Sequence, residues 1–124
     1  MKLRTAVFSI IMVLVIAEIV GFLAPQPEWL DIPFHIAGGI GWAMFAAWMI
    51  GKAKTERNPV WFNLIFTAGF VMFIGSSWEA LEFLLVRGHI FPSTGFTLRD
   101  TIGDLFNDGV GSLIGWLLFV RNLR

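Results

Sequence analysis

Asp100, Asp104 and Asp108 stand at i, i+4 and i+8 just ahead of the apolar run 112–120. On a helix these positions drift only slowly around the axis, so the three carboxylates share one broad face. Gly111 and Gly115 prolong the row at helical spacing. Glu79 and Glu82, at i and i+3, share a second face. His35 is the one imidazole placed within an apolar segment. Several carboxylates with one imidazole form the ligand set of a hard-to-borderline divalent cation. The same set could instead share protons, because close carboxylates cannot all ionise. The Glu-x-x-His spacing of di-metal bundles is absent.

These groups must be held by elements that cross a membrane. The chain has 124 residues, 56% of them hydrophobic, and a mean hydropathy of +0.75. A soluble domain of this size cannot hide that much apolar surface. Zero formal net charge gives no reason to expect a nucleic-acid partner. Without cysteine there is no thiolate nucleophile and no thiolate metal site.

Four helices are expected, at about 5–24, 33–51, 60–86 and 100–120, forming one all-α membrane domain, 1–124. Each of the first three is close to or above the ~20 residues a bilayer core requires. The first follows Lys2 and Arg4 and has no small-x-small cleavage site before Pro25, so it reads as a retained helix. Pro25 and Pro27 end it. Asp31 suits an N-cap for the second helix, with Pro33 in its first turn. Gly38, with Gly39, Gly41 and Ala37, thins one side of that helix, and in membranes small residues let helices approach closely. Trp61 and Trp78 would lie roughly 25 Å apart on a helix, as two interfacial belts require. Thr97 or Asp100 would cap the fourth helix.

On this four-helix topology Lys2, Arg4, Lys52, Lys54, Arg57, Arg121 and Arg124 fall on one side, with Arg87 and Arg99 on the other. The excess of basic residues puts both termini in the cytoplasm. Glu18, His35, Glu79, Glu82, Asp100, Asp104, Asn107 and Asp108 then fall on the opposite side, from all four helices. Scatter alone would not favour one leaflet in every helix. Single residues have plainer readings: Asp100 as a capping-turn acid, Glu82 as an ion-pair partner of Arg87, His35 as a hydrogen-bond donor to an acid, and Gly38, Gly111 and Gly115 as packing positions.

Three patterns together resemble a known family: Asp31-x-x-x-His35 opening a helix, Trp78-Glu79-x-x-Glu82 near the end of the next, and Asp100-Thr101-x-x-Asp104-x-x-x-Asp108-x-x-Gly111. The set is similar to the YjdF-like small bacterial membrane proteins and, more loosely, to the VanZ-like family. A VanZ-like pattern would have Gln at position 82 and Asn at position 108, where this chain has Glu82 and Asp108. The resemblance implies a multi-spanning protein of the inner membrane, with polar positions 31, 35, 79, 82, 100, 104 and 108. It implies no reaction.

Two functional classes compete. One is an outward-facing intramembrane site of His35, Glu79, Glu82, Asp100, Asp104 and Asp108, supported by Glu18, Asp31 and Asn107. It would bind a divalent metal ion or protons and serve transport, or transfer or hydrolysis on a lipid-type substrate, with Glu79 or Asp104 as catalytic base. The other is a structural or assembly subunit whose Gly-rich faces dock homo- or hetero-oligomeric partners. The acids outnumber His35, Arg87 and Arg99, which leaves negative charge in want of a cation or protons and favours the first class. The bacterial or archaeal cytoplasmic membrane is the expected location.

Overall fold

The computed structural model describes residues 2–23, 28–53, 58–90 and 97–121. Pro25, Pro27, Lys54, Arg57, Pro92, Ser93, Gly95 and Arg124, which belong to the expected connections and the C-terminal end, lie outside the described residues. All described regular structure is helical: α1 (Leu3–Leu23), α2 (Asp31–Ala53), α3 (Val60–Arg87) and α4 (Leu98–Gly115). A 3₁₀ turn, Glu28–Leu30, leads directly into α2, and α4 widens into a π-helical turn over Trp116–Val120.

α1, α2 and α3 are each long and apolar enough to cross a membrane, with mean hydropathies of 2.3, 1.3 and 1.6 over their apolar stretches. α4 has 18 residues and carries Arg99, Asp100, Asp104 and Asp108. That polar load keeps it from qualifying as a span by composition alone, so three candidate spans stand among the described residues. Large apolar side chains such as Phe8, Phe73, Leu84, Phe106 and Leu118 are exposed on the outside of the bundle, as a lipid solvent permits.

α2 is the central helix, packing against α1, α3 and α4. Its closest neighbour is α4, and the reason lies in small residues. A Cβ at Gly39 would lie 2.5 Å from the Asp108 carbonyl oxygen and 3.0 Å from the Gly111 Cα. A Cβ at Gly111 would run into the Ile36 carbonyl, and one at Gly115 into the Ala43 Cβ. Gly39 with Gly111 and Ala43 with Gly115 follow one another in the same order along both helices, so α2 and α4 run parallel, backbone against backbone. α3 is antiparallel to α4, with Gly75 against Asp108 and Met72 near Gly109. Gly38, expected among the packing glycines, has nothing within 4 Å of where its Cβ would stand. The close approach belongs instead to Gly39, one residue further round the helix.

Beyond the glycine crossing, Ala47, Ile50, Trp116 and Val120 form the apolar core, with Leu64, Phe66 and Phe119 packed around it. Phe62, Phe66 and Phe70 stack along α3, and Phe70 meets Phe45 at 6.0 Å and Trp42 at 6.1 Å on α2. This end of the bundle is closed by packed side chains. The other end holds the acids.

Candidate functional site

His35 sits on the second turn of α2, one turn before Gly39. Because Gly39 and Gly111 bring the two backbones together, the imidazole meets the acidic row of α4 directly. His35 Nδ1 is 3.2 Å from Asp108 Oδ1. Its other nitrogen, Nε2, lies 3.6 Å from Asp104 Oδ1 and 3.5 Å from Asp31 Oδ2. Three carboxylates from two helices therefore surround one imidazole. Asp104 and Asp108 are each only 7% exposed. Asp31 is half-buried and forms an i,i+4 pair with His35 along α2.

The two faces of the imidazole differ in geometry. The Nδ1 contact is within hydrogen-bonding range, whereas the two at Nε2 are longer than a good hydrogen bond. Ligands about 2.1 Å from a tetrahedral ion stand about 3.4 Å from one another. The Nε2 separations are close to that spacing. One donor atom each from Asp31, His35 and Asp104 lies within 4.8 Å of the other two. Asp108, on the far side of the ring, has its space provided by α3: a Cβ at Gly75 would overlap Asp108 Oδ2.

Of the expected site residues, His35, Asp104 and Asp108 come together, and Asp31, expected in a supporting place, joins them directly. Glu79 is buried in α3 at 6% exposure, hydrogen-bonds Thr101 and interacts electrostatically with His35 and Asp104. Its Oε1 has no hydrogen-bond partner among the described residues. Glu82 is half-buried one turn further along α3 and interacts with Asp31 and His35 at longer range. Asp100 lies in the first turn of α4, where its backbone N–H donates to Thr97 Oγ1 at 3.1 Å, so Thr97 is the cap. Glu18 is exposed on α1, and Asn107 is half-buried on α4. Neither enters the ion pairs of His35.

Asp31's part had a signal in the sequence, since i and i+4 on a helix face one another. The same residue is also a good helix-opening acid, so the spacing alone does not decide between the two parts.

Over its whole length, residues 1–124, the chain matches the model of a family described as Predicted membrane protein (DUF2238). The chain belongs to this family. No curated protein and no solved structure matches it. As a DUF2238 protein it is a membrane protein with several helices, three of them candidate spans among the described residues. An acidic–imidazole cluster lies where its α2 and α4 meet.

Proposed function

We propose that Asp31, His35 and Asp104 hold a divalent cation within the membrane, and that the bound ion acts on a lipid-type molecule by transfer or hydrolysis. The carrying observation is the asymmetry of His35: tetrahedral-ligand spacing at Nε2 beside a hydrogen-bonding carboxylate at Nδ1. A metal-bound histidine characteristically donates its other N–H to a carboxylate, which fixes ring orientation and tautomer. Asp108 supplies that carboxylate. The ion would polarise a phosphoryl or ester oxygen and lower the pKa of a bound water. Glu79 becomes the better candidate for general base, because Asp104 is a ligand in this reading and Glu79 keeps an unpartnered oxygen. Glu82 and Asp100 add negative charge around the centre, and Glu18 and Asn107 support it at longer range.

Packing of Ala47, Ile50, Trp116 and Val120 at the other end of the bundle favours chemistry at one membrane face over passage through the bundle. With this reading go the finer placements: α4 as a fourth span, one membrane domain over 1–124, both termini cytoplasmic, the site opening outward, and a bacterial or archaeal inner membrane. The likeness to YjdF-like proteins accompanies them. A structural network is the competing reading, favoured by the two pairs, to Asp104 and Asp108, by which His35 bridges α2 to α4, beside its pair with Asp31 within α2.

Melting curves of the detergent-solubilised protein separate the two. Under the metal reading, a chelator lowers the melting temperature of wild type, added zinc, magnesium or calcium restores it, and Asp104→Asn abolishes the response. A wild-type melting temperature indifferent to chelator and to every added metal leaves the network as the better account.

A further inference from the structure

A cleft of about 780 Å³ opens beside the cluster, within the roughly 300–1,000 Å³ range of sites that take small molecules. Its origin is the way α1 attaches. Ala6 and Ile10 are the buried residues of α1, and Ile10 nests on Gly41, where a Cβ would lie 3.1 Å from its Cγ1. Beyond Ile10 every α1 side chain whose burial is described is half-exposed or exposed. Among the described residues no Cα of α1 comes within 8 Å of one in α3 or α4. The helix is thus fastened near its start and stands away from α3 further along, leaving a slot open sideways.

Most residues lining the slot are apolar, and most of its acids lie toward one end. Leu14, Phe34, Trp42 and Ile74 form apolar walls. Asp31, His35, Glu82 and Glu18 gather at the polar end, Asp108 stands deeper against Gly75, and the described lining contains no Lys or Arg. Along α3 the lining runs from Val71 to Glu82, about 16 Å by helical rise. That is half of a hydrocarbon core of about 30 Å, the depth of one leaflet. Gly38 keeps the slot open, since it lines the cleft and has no atom within 4 Å of a Cβ position.

We propose that this slot admits one hydrocarbon chain of a membrane lipid between α1 and α3, and that the lipid bears a primary ammonium headgroup held by Glu82 and Glu18, the lining acids that neither ligate the ion nor pair with His35. An aqueous ligand would have no use for a leaflet-deep apolar wall open to the bilayer. Away from the metal ligands an anionic headgroup would meet Glu82 and Glu18 with no Lys or Arg in the described lining, whereas an ammonium complements them. The proposal names the substrate class of the metal site and rests on that reading for the chemistry done there, while the lipid contact itself requires only the slot and its acids.

Native mass spectrometry of the detergent-solubilised protein, offered equal amounts of phosphatidylethanolamine and phosphatidylglycerol with matched chains, tests it. Wild type retains the ethanolamine lipid over the glycerol lipid by about fivefold or more, and Glu82→Gln brings the two closer to equal. Gly38→Leu and, independently, Ala17→Phe fill the slot and cut retention of both lipids about fivefold or more, while zinc binding by calorimetry stays as in wild type. Asp104→Asn, which lies off the cleft lining, loses zinc and keeps the ethanolamine preference. Equal retention of the two lipids by wild type, or unchanged retention in both folded slot-filling variants, overturns the lipid assignment. If wild type binds no zinc but prefers the ethanolamine lipid, the metal reading falls and the slot assignment stands.

Discussion

Gly75 of α3 lies so close to Asp108 of α4 that a Cβ on the glycine would occupy the place of Asp108 Oδ2. The position of that carboxylate depends on a missing side chain on another helix. Gly75→Ala is therefore expected to push Asp108 off His35 Nδ1, destabilising the protein by about 1–3 kcal/mol through overpacking. Gly103→Ala, in α4 with nothing within 4 Å of the new Cβ, should be neutral or slightly stabilising, because alanine costs less than glycine inside a helix. Melting temperatures of the two variants against wild type check the contrast.

The α2–α4 crossing offers a second contrast. Gly39→Ala places a methyl against the Asp108 carbonyl and Gly111, and Gly111→Ala places one on the Ile36 carbonyl. Backbone cannot swing aside as a side-chain tip can, so both should lower stability by at least about 1–3 kcal/mol. Gly38→Ala, one residue from Gly39, should be tolerated. Equal losses at positions 38 and 39 would put the crossing on the wrong face.

Asp108 and Asp104 should fail differently. Loss of an outer carboxylate that orients a metal-bound histidine typically weakens metal affinity by about 10–100-fold. Asp108→Asn should leave measurable binding in that reduced range, whereas Asp104→Asn removes a ligand and should abolish it. Calorimetric titration with zinc compares them, and an Asp108→Asn affinity equal to wild type would remove Asp108's orienting part.

The proposed metal binding would also set the sign of the pH response. The ligands must be deprotonated to bind, so the ion's contribution is present at pH 8 and is lost as falling pH protonates the imidazole and carboxylates. At a metal concentration 100 times the dissociation constant that contribution is about 2.7 kcal/mol. Chelator should accordingly lower the wild-type melting temperature more at pH 8 than at pH 5, and Asp104→Asn should show no such difference.

The excess of basic residues at one end predicts a sidedness. Lys52 lies in the last turn of α2, and His89 follows α3, at opposite ends of the antiparallel hairpin. In intact cells a Lys52→Cys variant should resist a membrane-impermeant thiol reagent and a His89→Cys variant should react. The reverse pattern would invert the orientation and turn the acids toward the cytoplasm.

Four helices and the clustering of acids toward one end could be read from the residues, because composition and helical period operate locally. The row of Asp104, Asp108 and Gly111 is such a case: its spacing already puts two acids and a packing position on one face. Which glycine of the Gly38, Gly39 and Gly41 group meets α4 could not be read, since adjacent small residues point in different directions and only the partner's placement selects one. Asp31 presented a similar ambiguity, a good opening residue for α2 that is also a His35 neighbour. The slot was invisible in the sequence, because it arises where α1 stands away from α3, and an absent contact leaves no periodicity behind.

One ion is proposed to sit between Asp31, His35 and Asp104. Elemental analysis of the purified protein, loaded with zinc and passed through chelator-free buffer, tests it most directly. About one equivalent of metal per chain is expected in wild type, with a severe loss in Asp104→Asn and His35→Gln and retention in Gly103→Ala. Metal absent from wild type, or present equally in wild type and Asp104→Asn, would contradict it.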